Sequence, residues 1–328
     1  EFYIVEGLAG NRFACYFKAH HSAIDGMGAM AVLLRWLSND PMQQPNVAPW
    51  SMPPVRRRIA PDATLATREK NFFSRSLDTV KAQATAAAEL SRTLYHMNRR
   101  EENPEGGMQS ALNTPKTPFN VHVSPHRRVA TQTLPLHRFK QIGDIMGATV
   151  NDVALAVIGT SLRRYLSDQQ ALPNQPLVAS IPIALNRPKG ESGNAVAGFV
   201  CPLETHGDDP IQRLEIIRAI TSRTKKQLQS LSRTALRQFS VMGIAPMLIS
   251  QVTGLGASFP PFFNLVVSNV VASRKTLYLR GATLEAMYPV SLLFDGYALN
   301  ITMVGYGNQL NMGFLGCREA NPSLQKLA

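Results

Sequence analysis

Residues 13–37 constrain the fold more than any other stretch of the chain. Phe13-Ala14-Cys15-Tyr16-Phe17 is apolar and aromatic with little turn character, as in a strand. His20-His21 follow, then Asp25-Gly26, then the helix-forming run Met30-Ala31-Val32-Leu33-Leu34-Arg35-Trp36-Leu37. A strand, a tight turn and a helix in succession carry functional groups to an element end, where a rigid scaffold can aim them. A histidine there is suited to shuttling a proton near neutral pH. Asp25 has two roles open to it: orienting the turn, or pairing with an arginine. The His-His pair could equally serve the structure or belong to a metal site. A metal needs further ligands, and His96, His122, His126, His137 and His206 are scattered without a zinc-type spacing.

The chain has 328 residues, enough for two domains of ordinary size. Hydrophobic residues make up 45% and charged residues 17%, a globular composition. Cys15, Cys201 and Cys317 are few and far apart, which argues against a disulfide framework and for a reducing compartment. No apolar run reaches the ~18–20 residues of a membrane span. The first residues, Glu1-Phe2-Tyr3-Ile4-Val5-Glu6-Gly7, resemble mid-strand rather than a signal peptide, so the natural protein is expected to begin earlier. The net charge of +12 would suit anionic lipid or a phosphorylated ligand. Nucleic acid is not expected, since no zinc-finger, RRM or helix-turn-helix signature accompanies the charge.

Strands and helices alternate along the chain. Strands are expected at 1–8 and 13–19, around a hairpin turn at Ala9-Gly10-Asn11-Arg12, with a helix to about Leu37. A Pro-rich connection spans 38–61 and ends near Arg56-Arg57-Arg58, residues open to solvent, lipid headgroups or phosphate. Residues 64–98 are helix-prone, and the polar, Gly/Pro-punctuated stretch 99–125 is a crossover. Further strands are expected at 129–134, 177–183, 194–203, 262–270, 277–279 and 284–288, and a hairpin over 298–315 turning at Gly307-Asn308. Helices are expected at 137–147 and from Thr149-Val150-Asn151-Asp152 onward, where Asn151 and Asp152 could simply satisfy free backbone N–H groups. Residues 211–237 carry seven Lys/Arg against one Glu, a net +6, and lead into an apolar run from Phe239 to Val252.

His20, His21, Asp25 and Gly26 complete the pattern HHxxxDG, and the stretch resembles that motif of the acyltransferases that use coenzyme A thioesters. Asn151-Asp152-Val153, Leu185-Asn186-Arg187-Pro188, Asn264-Leu265-Val266-Val267-Ser268-Asn269-Val270, Tyr288-Pro289-Val290-Ser291, Phe294-Asp295-Gly296 and Ala298-Leu299-Asn300-Ile301-Thr302 follow in order. Together they resemble the bacterial wax ester synthase/acyl-CoA:diacylglycerol acyltransferase family. Two departures stand out. The DFGWG motif of the plant relatives is absent, with Phe294-Asp295-Gly296 at most a distant counterpart. Val271-Ala272-Ser273 also stands where the family usually has a Gly-Pro turn.

The resemblance implies an α/β fold of two chloramphenicol-acetyltransferase-like lobes, mixed sheets with helices, and a tunnel between them. Residues 1–110 would be the C-terminal part of the N-terminal lobe with the crossover, and 111–328 the C-terminal lobe. The implied reaction transfers a fatty acyl group from acyl-CoA to a long-chain alcohol or diacylglycerol, giving wax ester or triacylglycerol. It would need no permanently bound cofactor and no metal. His21 would be the general base, with His20 supporting it. Asp25 would brace the turn, with Arg187 as one candidate partner, and Gly26 would permit close packing. Asn264, Ser268 and Asn269 are candidates for the oxyanion or substrate contact, with strand-edge hydrogen bonding as their other role. Two alternatives stay open: a condensation-type enzyme acting on a carrier-protein thioester, and a non-catalytic lobe that binds a lipid surface. The implied setting is cytoplasmic, peripheral to a membrane or lipid inclusion, with an N-terminal portion of the same protein as partner.

Overall fold

The computed structural model describes residues 1–20, 26–43, 51, 85, 87–89, 91–92, 113–184, 196–232, 234–236, 238–241, 243, 251–252, 254 and 256–328. In chain order these include β1 (Phe2–Leu8), β2 (Arg12–Phe17), α1 (Gly26–Trp36) and β3 (Arg127–Pro135). Next come α2 (Leu136–Met146), α3 (Val150–Asp168), β4 (Val178–Ala184), β5 (Val196–Pro202) and α4 (Pro210–Gln229). The chain continues with β6 (Leu265–Ser273), β7 (Tyr278–Leu279), β8 (Ala282–Thr283), β9 (Leu299–Tyr306) and β10 (Gln309–Cys317). Two compact units result. Among the described residues, one comprises 1–20, 26–43, 51 and 275–284; the other holds the remainder. The expected boundary at 110/111 lies outside the described residues.

In the first unit β1 and β2 pair antiparallel from Phe2 opposite Phe17. The chain reverses through Gly10 and Asn11, both at positive φ, as the expected hairpin turn requires. Phe2 meets Trp36 of α1 edge to face, with ring centroids 5.4 Å apart. Ser38 and Tyr278 exchange backbone hydrogen bonds of 2.9 and 2.8 Å, so the β7–β8 hairpin from the far end of the chain belongs to this unit.

The second unit is built on a six-stranded mixed sheet in the order β3-β10-β9-β6-β4-β5. β4, β6 and β9 run parallel, while β5, β10 and β3 pair antiparallel with their neighbours. Leu155, Ile158, Leu162 and Leu166 of α3 are fully buried in one cluster with Val267, Ile301 and Phe314 of the sheet. Each such side chain contributes about 1.5–3 kcal/mol on removal from water. Register then fixes the two faces. Val267, Ile301 and Phe314 face the helices; Ser268, Thr302 and Gly313, which also stand abreast, face the other way.

The helix boundaries have local causes. α2 stops at Gly147, which adopts a left-handed φ of 60°. α3 starts with a capping box in which Thr149 is the N-cap and Asp152 accepts from its backbone N–H, the capping role expected of Asn151 or Asp152. α4 starts on Asp209, whose carboxylate accepts from Ile211 N, with Pro210 in the first turn. It ends at Gln229. The strand expected at 284–288 is not formed: residues 284–290 are irregular, and the pairing takes place earlier, between β7 and β8 around Arg280 and Gly281. A two-residue turn with both residues at positive φ suits a tight hairpin, and Pro289 stops any extension of a ladder.

Candidate active site

The first unit contributes His20, exposed beyond the end of β2, and Gly26, the exposed first residue of α1. His21, Asp25 and Arg187 lie outside the described residues. A strand ends at Phe17 and a helix starts at Gly26, so the motif begins after the strand and ends at the first residue of the helix.

The second unit brings two of the sequence motifs together. Asn269 on β6 donates its amide to Asn151 Oδ1 on α3 at 3.4 Å. Asp152, beside Asn151, is buried. Its Oδ2 accepts from Thr149 N at 2.8 Å and Thr149 Oγ1 at 2.7 Å, and its Oδ1 accepts from Thr221 Oγ1 of α4 at 2.7 Å. Asp152 therefore ties two helices and closes a capping box. Burial, reinforced by the charges of Asp152 and Glu204, pushes the Cys201 thiol far up, so this cysteine is held as a neutral thiol.

The three strand candidates have different surroundings. Asn264 is fully buried just before β6. Its Oδ1 accepts from Val178 N at 2.7 Å, and its Nδ2 donates to Pro115 O at 2.7 Å and Asn120 Oδ1 at 2.8 Å. With its own N–H on Val178 O at 2.7 Å, the residue extends the β4–β6 pairing through its side chain. Ser268 and Asn269 are half-buried and point to opposite faces of the sheet, Asn269 toward the helices.

Sequence reasoning did not single out Asn120. It is buried and donates to Phe263 O at 3.1 Å and Gly296 O at 3.2 Å, so the crossover ends inside the second unit rather than on its surface. Phe294-Asp295-Gly296 is likewise a pinned turn. Asp295 accepts from Val123 N at 2.9 Å and lies 3.0 Å from His122 Nδ1, and its backbone is bonded at both ends to the Gln251 amide. One of the seven cations of 211–237, Arg213, is buried and donates to Glu204 O at 3.1 Å and Thr160 Oγ1 at 2.8 Å. It packs the fold instead of facing solvent. Phe239 is core as well, whereas Val241 is exposed. Among the described residues no group of three His, Cys, Asp or Glu side chains is placed to hold a metal. No single described helix is long and apolar enough to cross a membrane.

Residues 1–154 match the family model of the wax ester synthase/diacylglycerol acyltransferase catalytic domain, and residues 192–328 match that of the C-terminal domain of the same enzymes. The chain belongs to this family. It is 42% identical over 328 residues to a Mycobacterium tuberculosis protein bearing the name diacylglycerol O-acyltransferase Rv2285, covering 100% of this chain and 71% of the relative. It is 36% identical over 325 residues to the O-acyltransferase WSD of Acinetobacter baylyi, covering 99% and 69%. The solved wax ester synthase/diacylglycerol acyltransferase of Marinobacter aquaeolei superposes with a TM-score of 0.73 at 31% identity, covering 100% of this chain and 68% of that one. The expected two-lobed α/β class with mixed sheets is therefore the fold of this chain.

Proposed function

We propose that this chain transfers a fatty acyl group from acyl-CoA to a long-chain alcohol or diacylglycerol, forming wax ester or triacylglycerol. The observation that carries this reading is the complete HHxxxDG pattern, between a strand and a helix, in a member of the family. The enzyme is an acyl-CoA-dependent O-acyltransferase. His21 takes the hydroxyl proton as the oxygen attacks the thioester carbonyl, then returns it to the departing thiolate. Both substrates are held together, so no acyl-enzyme forms and no permanently bound cofactor is needed. His20 supports His21. Asp25 braces the turn, with Arg187 as its candidate partner. Because both amide hydrogens of Asn264 are engaged within the fold, Ser268 and Asn269 are the better candidates for meeting the oxyanion or substrate.

Its acceptors and products are nearly insoluble in water, so the enzyme works at a membrane or lipid-inclusion surface in the cytoplasm. The exposed cations of α4, among them Lys225 and Lys226, support an electrostatic contact with anionic headgroups. The β1–β2 sheet supports a further partner. Tyr3, Ile4, Val5, Phe13 and Tyr16 are all exposed on it. A two-stranded sheet with that much apolar surface needs covering, and we assign this role to an N-terminal portion of the same protein.

Turnover of palmitoyl-CoA with hexadecanol or dipalmitoylglycerol tests the function. His21→Ala is expected to lower kcat by ~10²–10⁴ with the fold retained. Near-native turnover in that variant would remove this histidine from the mechanism.

A further inference from the structure

The sheet face turned away from the helices is unusually polar for a buried surface. Ser268 of β6, Asn300 and Thr302 of β9, Gln309 and Asn311 of β10, and Thr133 of β3 all belong to it by register. Most of these groups satisfy one another or their neighbours: Thr302 Oγ1 donates to Asn300 Oδ1 at 2.8 Å. Thr133 Oγ1 donates to Asn311 Oδ1 at 3.0 Å and in turn lies 2.8 Å from the Tyr288 hydroxyl, which must then be its donor. This chain of hydrogen bonds fixes the Asn311 amide and leaves one end of it over. Asn311 is 0% exposed, and its Nδ2 has no partner. Two residues earlier on the same face of the same strand, Gln309 Oε1 is also buried and without a partner.

A buried donor and a buried acceptor left unmatched each cost about 1–3 kcal/mol. Their side chains arise one strand repeat, about 7 Å, apart. A secondary amide fits such a pair: its carbonyl accepts from the asparagine and its N–H donates to the glutamine, through two bonds of about 2.9 Å. Acyl-CoA, the substrate in the reading above, carries two secondary amides in its pantetheine arm. We infer that Gln309 and Asn311 form a binding site for a pantetheine amide of the acyl-CoA substrate, with Thr133 and Tyr288 holding Asn311 in position. This inference rests on the proposed acyl-CoA function and adds the residues that hold the thioester's arm. No covalent step is assigned to them.

The test compares two donors carrying the same acyl group: palmitoyl-CoA, and an S-butyl thioester that lacks both amides. Asn311→Leu and Gln309→Leu are expected to raise KM for palmitoyl-CoA about tenfold, the equivalent of one lost hydrogen bond of about 1.4 kcal/mol, while leaving kcat and the S-butyl KM unchanged. Gln309→Glu, which keeps the acceptor, should bind palmitoyl-CoA better than Gln309→Leu. An unchanged palmitoyl-CoA KM in both leucine variants overturns the site, leaving a trapped water as the partner of the two groups. An equal rise in KM for both donors also overturns it, because a merely structural defect would not discriminate between them. Failure of the underlying function has a separate signature: the wild-type protein itself would transfer no acyl group from either donor.

Discussion

Asn264→Ala separates a sheet-closing amide from a catalytic one. The substitution removes three side-chain hydrogen bonds, to Val178 N–H, Pro115 O and Asn120 Oδ1. Asn120 Oδ1 keeps its contact with Thr117 Oγ1 at 3.0 Å, so it loses little. The Val178 N–H is left orphaned in a residue only 1% exposed, and Pro115 O loses its donor in a half-buried loop. At ~1–3 kcal/mol for each of these two unsatisfied groups, the variant should be destabilised by roughly 2–6 kcal/mol. Urea denaturation read by circular dichroism gives the shift in midpoint, and hydrogen exchange in β4 and β6 shows whether the loss is local to that pairing. Residual turnover per folded molecule should stay within a few-fold of wild type. An unchanged midpoint with kcat down ~10² or more would refute this reasoning and restore Asn264 as an oxyanion donor. Asn264→Asp sharpens the test, since it retains an acceptor for Val178 N–H but sets a carboxylate against two acceptor oxygens. It should be no more stable than the alanine variant.

Thr149→Ala removes the N-cap of α3 and should cost about 1 kcal/mol in denaturant unfolding. Gly313→Ala would place a Cβ 1.7 Å from Pro289 O. The Pro289 segment must move, so a loss of about 1–3 kcal/mol is expected, and a neutral outcome would show that this segment shifts freely. Hydrogen bonds from Ser124, His126 and Cys317 hold the Glu319 carboxyl down to about 2. A depressed carboxyl stabilises the fold above its unfolded value and loses that contribution as pH falls through its folded one. The stability advantage of wild type over Glu319→Gln should therefore be complete at neutral pH and fade between about pH 4.5 and 2. A gap that stays constant across that window would show that the hydrogen bonds do not favour the ionised form.

The elements legible in the sequence were those with a local signal. Alternation and Gly307-Asn308 announced the β9–β10 hairpin, and Gly147 announced the end of α2. The capping role open to Asp152 was legible too: within the box Thr-x-x-Asp it accepts from the Thr149 backbone N–H. The expected strand at 284–288 failed because the chain turns earlier, at the positive-φ pair Arg280 and Gly281, and pairs there as β7 and β8. Other features depended on distant partners. Asn264 meets Val178, 86 residues away, and Asn120 reaches Phe263 and Gly296 over still longer separations. Nothing near those residues distinguishes them from exposed loop asparagines.

The candidate site shows the same limit in sharper form. Asn264, Ser268 and Asn269 stand within six positions of one strand motif, and sequence alternation alone sets Asn269 on one face and the other two on the opposite one without choosing among them. Strand geometry separates Ser268 from Asn269, because adjacent residues face opposite sides of a sheet. Hydrogen-bond accounting separates Asn264 from both, because an amide whose two hydrogens are engaged inside the fold has none left for a substrate. Asn311 presents the reverse case. It belongs to none of the recognised motifs, yet its Nδ2 is buried without a partner, whereas Asn264 lies in a motif and has every side-chain polar atom paired. A motif records that a residue type is required; only the fate of its donors and acceptors tells whether the fold or a ligand requires it.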